Sequence, residues 1–132
     1  MTECRVEDLQ VLVIEDELLI AHSIIDALED QGICRIRHAA SEGEALKESR
    51  DFLPDLIISD VDLNLGGCGP VAVEQIRAAC GKTIPVVFVS ATPPEISPEM
   101  CCTRALKKPF HLPRFWHLAQ EIVPALEQAE LT

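Results

Sequence analysis

Gln10-Val11-Leu12-Val13-Ile14-Glu15-Asp16 sets four consecutive apolar residues directly before a pair of acids. A short, β-branched-rich run without polar alternation reads as a strand buried on both faces, the kind found inside a parallel sheet. From Leu18 to Leu28 the apolar residues then recur at three- and four-residue steps, so a helix follows the strand. The same pairing repeats along the chain. Gly32 ends the first helix, and Ile33 to His38 reads as a weaker strand. Ser41 with Glu44 three residues later forms a capping-box signature for a helix running to about Ser49. Leu56-Ile57-Ile58 is the third strand, and Pro70 is placed as the first residue of a helix reaching about Cys80. Pro85 to Val89 gives the fourth strand, Arg104-Ala105-Leu106 a short fifth, and Leu112 to about Ala129 a final helix.

Near-continuous apolar strands alternating with amphipathic helices predict an α/β fold, a doubly wound parallel sheet covered by helices on both faces. Ligands in such sheets gather at the carboxyl ends of the strands. Glu15, Asp16, Asp60, Ser90 and Lys108 all stand at or just beyond those ends, so one crevice can hold them all. Acids at two strand ends and a lysine at a third describe a small site for a divalent cation and a phosphoryl group. Singly, each acid after a strand reads as a solvated turn or a helix cap, Ser90 as a cap and Lys108 as a surface charge. Their convergence in one sheet is what favours the site.

Composition narrows the function classes. A chain of 132 residues with 48% hydrophobic positions supports one core and one domain spanning residues 1–132. The net charge of -11 disfavours contact with a nucleic-acid backbone or an anionic membrane, since both rest on Lys and Arg. No apolar stretch approaches the roughly 20 residues that span a bilayer, and the N-terminus has no basic stretch leading into an apolar run. A cytoplasmic location is the expectation. The six cysteines include no C-x-x-C pair, and Cys101 adjoins Cys102, so free thiols are expected rather than a disulfide framework or a zinc site. His22, His38, His111 and His117 have no metal-like spacing. Asp60-Val61-Asp62-Leu63-Asn64 opens like a calcium loop but fails at its sixth position, Leu65, and its twelfth, Val71.

The chain resembles the receiver domain of two-component response regulators over essentially its full length. The resemblance is carried by Val13-Ile14-Glu15-Asp16-Glu17, by Asp60 at the third strand end, by Val89-Ser90-Ala91 and by Lys107-Lys108-Pro109-Phe110, in that order and spacing. It implies a five-stranded, flavodoxin-like sheet of order 2-1-3-4-5. It implies Asp60 as phosphoacceptor, Glu15, Asp16 and Asp60 with the Asp62 carbonyl around Mg²⁺, Ser90 as the hydroxyl on the phosphoryl group, and Lys108 as its cationic partner. The phosphoryl source would be a histidine kinase or a histidine phosphotransfer protein. Such a chain is a signalling domain that assists its own phosphorylation and dephosphorylation, not a conventional enzyme. Chemistry agrees with these roles: an anionic carboxylate approaching an anionic donor needs positive charge between them, and a hard cation takes carboxylate and carbonyl oxygens. Of the two lysines, Lys108 is assigned because it directly precedes Pro109 and neighbouring residues point oppositely.

Departures from the family pattern are equally specific. Ala105 stands three positions before Lys108, where the family places an aromatic switch residue. The segment from Ser90 to Lys108 is short for the family and contains Pro93, Pro94 and Pro98, so the fourth helix is expected to be short, displaced or absent. The loop after Asp60 lacks the family's usual proline. These features resemble the atypical single-domain receivers of alphaproteobacterial sensory networks. The final helix ends near the C-terminus, so no output domain is expected. Two function classes stay open: a phosphoacceptor relay, and a protein-binding adaptor that keeps the fold without depending on phosphorylation.

Overall fold

The computed structural model describes residues 6–93, 95 and 102–123. Five parallel strands, β1 (Gln10–Ile14), β2 (Arg35–Ala39), β3 (Leu56–Asp60), β4 (Val86–Ser90) and β5 (Thr103–Lys107), lie in the order β2-β1-β3-β4-β5. Four α-helices are present among the described residues: α1 (Leu18–Asp30), α2 (Glu42–Asp51), α3 (Gly69–Cys80) and α4 (Leu112–Ile122). The doubly wound sheet of order 2-1-3-4-5 expected from the sequence is the one observed.

Alternation along each strand divides the apolar residues between two cores. Val11, Val13, Leu56, Ile58, Val87 and Val89 face Ile24 and Leu28 of α1 and Phe115, Trp116 and Ala119 of α4. Leu12, Ile14, Ile57, Val86 and Phe88 face Ala45 of α2 and Ala72, Val73 and Ile76 of α3. The period of two explains why β1, β3 and β4 must be apolar throughout: both of their faces are covered. Trp116, the sole tryptophan, is 1% exposed, and among the described residues its indole N–H has no acceptor.

Element boundaries differ from the sequence reading where local chemistry intervenes. The second strand starts at Arg35 rather than Ile33, because Gly32 adopts φ 92° in the preceding turn and Ile33 plugs the core from outside the sheet. Ser41 caps α2 as expected, accepting the Glu44 N–H at 3.2 Å. The last helix ends at Ile122, and Val123 takes an extended conformation, as a residue before proline does. The predicted extension to Ala129 and the expected irregular fourth helix between Ser90 and Lys108 fall largely on residues outside the described ones. Cys34, Cys68 and Cys80 are free thiols.

Register decides what meets at the carboxyl edge. Ile14 is level with Ser59, so Glu15 and Asp60 emerge side by side; Ser90 is level with Lys107, so Lys108 emerges one step further on. The start of α3 is pressed against this edge. A Cβ on Gly69 would lie 1.8 Å from the Asp60 carbonyl oxygen and 2.3 Å from Ser59 Oγ, distances no side chain tolerates. Gly69→Ala is therefore expected to destabilise the fold by about 2 kcal/mol, the range of forced overpacking. A urea titration with unchanged slope and a lowered midpoint is the expected result; an unchanged midpoint would mean that α3 shifts freely.

Candidate functional site

The site is assembled from the ends of β1, β3, β4 and β5. Lys108 Nζ lies 2.9 Å from Glu15 Oε2 and 3.2 Å from Asp60 Oδ2, bridging the two carboxylates. Lys107, one residue earlier, is exposed, so Lys108, the lysine directly before Pro109, is the one that reaches the acids. Glu15, Asp16 and Asp60 each direct a carboxylate oxygen into a group whose members all lie within 4.8 Å of one another. Three hard oxygen donors at that spacing suit a divalent cation that prefers carboxylates and keeps some water.

Each acid is oriented by its own hydrogen bonds. Glu15 is fully buried; Oε1 accepts the Glu17 N–H at 3.3 Å, and its carbonyl meets His38 Nε2 at 2.7 Å. The Val61 N–H donates to Asp60 Oδ1 at 2.7 Å. That bond fixes one oxygen while Lys108 holds the other. Asp16 receives the side-chain amide of Asn64 on Oδ2. Ser90 is nearly buried; its Oγ accepts the Thr92 N–H at 3.2 Å, leaving the hydroxyl proton to be donated, and its carbonyl accepts the Lys108 N–H at 2.8 Å. Asp62 turns its carboxylate into its own loop, where Oδ1 accepts the Asn64 N–H at 2.8 Å. Its side chain therefore stands apart from the carboxylate group, and only its backbone carbonyl is left for the role expected of it.

The structure thus brings Glu15, Asp16, Asp60 and Lys108 together, with Ser90 joined to them through the backbone. Two participants escaped the sequence reading. His38 follows the β1–β2 register, in which it is level with Val13 and so one step short of the acids. Asn64 could have been suspected from Asp62-Leu63-Asn64, a spacing that favours an Asx turn, and from the tolerance of Asn for the left-handed conformation.

Burial pushes the Glu15 carboxyl up from 4.5 to about 7, and the Asp60 charge adds to the rise; the hydrogen bond and charge of Lys108 and the Glu17 N–H oppose it. Burial works against the Lys108 ammonium, but the hydrogen bond and charge of Glu15, with those of Asp60, outweigh it and hold Lys108 above its ordinary 10.5. Lys108 therefore stays charged while Glu15 titrates near neutrality.

The family model for the response regulator receiver domain matches residues 11–117, and the chain belongs to that family. Among curated proteins it is similar to the phyllosphere-induced regulator PhyR of Methylorubrum extorquens, with 37% identity over 87 residues, 64% of this chain and 31% of that protein. The chain thus spans about a third of that relative's length. Among solved structures it resembles the response regulator PhyR from Brucella abortus, with 28% identity and a TM-score of 0.75 over 90% of this chain and 49% of the other. It also resembles Vibrio cholerae chemotaxis protein CheY4, with 26% identity and a TM-score of 0.73 over 86% of this chain and 98% of the other. A receiver is a signalling domain. No helix among the described residues is long and apolar enough to cross a membrane.

The raised carboxyl of Glu15 has a defined sign in stability. Folded Glu15 binds its proton more tightly than the unfolded chain, so its contribution is complete below pH 4.5 and is lost as pH climbs through about 7. Without divalent cation, wild type should lose melting temperature across that window by more than Glu15→Gln does. Parallel curves for the two proteins would show that Glu15 ionises as an ordinary surface acid.

Proposed function

We propose that this receiver accepts a phosphoryl group on Asp60 in a reaction supported by Mg²⁺, with a histidine kinase or histidine phosphotransfer protein as donor in the cytoplasm. The observation that carries the reading is Lys108, at the end of the edge strand β5, bridging two acids from the adjacent strands β1 and β3, which leaves one Asp60 oxygen tied to Lys108 and the other to the Val61 N–H. An Asp60 oxygen forms the new bond to phosphorus while the bond from phosphorus to the donor's imidazole nitrogen breaks. Charge spreads over the phosphoryl oxygens in that transition, and the chain's own answer is the Lys108 ammonium and the Ser90 hydroxyl proton. Glu15, Asp16 and Asp60, with the Asp62 carbonyl, would hold the cation, which supplies further positive charge against the phosphoryl oxygens. A purely adaptor role leaves this acid–lysine arrangement without a use.

The surroundings suit a helical donor. A groove of about 500 Å³ runs between α1 and the β5–α4 connection, lined by Leu19, Ile24, Pro109, Phe110 and Phe115, with Lys108 at its edge. Leu18 and Leu19 are 62% and 88% exposed, which places apolar surface beside the acceptor. An amphipathic helix laid in such a groove would bury its apolar face and bring a histidine toward Asp60.

Intact-mass measurement after incubation with a small phosphodonor and Mg²⁺ tests the reading. Wild type should gain the mass of one phosphoryl group, and Asp60→Asn should gain none. An unchanged mass for wild type, under conditions that label an ordinary receiver, would leave the adaptor role standing instead.

A further inference from the structure

The loop that follows β3 is held at several points before it reaches the mouth of the site. The Leu63 N–H donates to the Gly67 carbonyl at 3.1 Å, the Gly66 N–H returns to the Leu63 carbonyl at 2.9 Å, and Asp62 pairs with Cys68 across the loop. Leu63 is 1% exposed and anchors the loop in the core beside α3. From the neighbouring element, Glu42 Oε2 accepts the Cys68 N–H at 2.7 Å, over Gly67 at φ 99°, where a Cβ would meet that carboxylate at 1.8 Å. Asn64 sits at the tip of this braced loop with φ 54°, its own N–H satisfied by Asp62. What it presents outward is its side-chain amide, and that amide donates to Asp16 Oδ2 from 48 residues away in sequence.

We infer that Asn64 is a positioning residue for the cation site, fixing the Asp16 carboxylate so that its remaining oxygen lone pairs face Glu15 and Asp60. The inference rests on the cation reading given above. Among the described residues Asp16 makes no other side-chain hydrogen bond, and Lys108 reaches Glu15 and Asp60 instead. A carboxylate has about four acceptor positions, so one amide N–H leaves it free to ligate. Hydrogen-bond partners of ligating carboxylates orient them, and losing such a partner typically weakens metal affinity 10- to 100-fold. The loop's bracing gives the amide a fixed position from which to act, and the left-handed backbone at residue 64 suits Asn.

The test separates the amide from the backbone. Asn64→Gly removes the amide but keeps the left-handed conformation accessible; Asn64→Ala removes both. Mg²⁺ affinity is read by calorimetric titration of wild type, both variants and Asp16→Asn, alongside melting temperature without the ion. Both Asn64 variants should bind Mg²⁺ about 10-fold more weakly, Asn64→Ala alone should lose appreciable stability, and phosphorylation of Asn64→Gly by a small donor should recover as Mg²⁺ is raised. Wild-type affinity in Asn64→Gly overturns the inference, whether or not Asn64→Ala is impaired. Tighter binding in Asn64→Gly overturns it as well, since the amide would then be competing with the ion. If wild type and Asp16→Asn bind Mg²⁺ equally, the cation reading itself falls and takes this inference with it.

Discussion

Everything at the carboxyl edge depends on one ammonium group between two carboxylates. Glu15 is wholly enclosed and the Asp60 side chain is 13% exposed, and their carboxylate oxygens lie within 4.8 Å of each other, where like charges repel by a few kcal/mol at the effective dielectric of a protein surface. Lys108 offsets that repulsion by touching both. Breaking a buried ion pair ordinarily costs about 3–5 kcal/mol because a charge is left without a partner. Here the loss has a ceiling, because Glu15 already titrates at about 7 and takes up a proton at small cost. Near neutrality the site thus holds Glu15 in either of two charge states.

The parallel sheet converts that local requirement into a global one. Glu15, Asp60 and Lys108 come from strands β1, β3 and β5, separated by whole strand–helix units, and only the register brings their side chains within bonding distance. A slip of one residue in any of these strands would turn its apolar residues toward the wrong core as well as misplace its acid or lysine. Core packing and site geometry are therefore specified by the same residues. Gly69 adds a constraint from outside the sheet, since α3 approaches the Asp60 carbonyl more closely than any side chain allows.

How far the sequence revealed this varies with the physical distance each interaction spans. The central strands announced themselves because burial on both faces forbids polar residues, and once they were placed, Glu15, Asp16, Asp60 and Lys108 had to share an edge. The choice of Lys108 over Lys107 rested on its place directly before Pro109, since alternation says only that the two side chains point to opposite sides. His38 and Asn64 escaped because each acts through a contact set by register or loop tip rather than by a local pattern. Asp62 shows the same limit of local reading: the Asn64 N–H two residues on engages its carboxylate, a contact set by the fold of the loop. Ala105 packs against the α2–α3 core as its small size permits, so the absence of a ring there, visible in the sequence, is a real feature of the fold.

The enclosed indole of Trp116 has an optical consequence. The chain contains one tryptophan and no tyrosine, so its near-ultraviolet emission comes essentially from one ring. That ring belongs to the same core cluster as Val87, Val89 and Leu106, on the strands that lead to Ser90 and Lys108. An indole sealed from water, with its N–H unengaged among the described residues, emits at short wavelength and responds to small changes in neighbouring dipoles. Spectral position and lifetime of this single fluorophore therefore report on the core behind the strands that carry the hydroxyl and the ammonium, with no label attached.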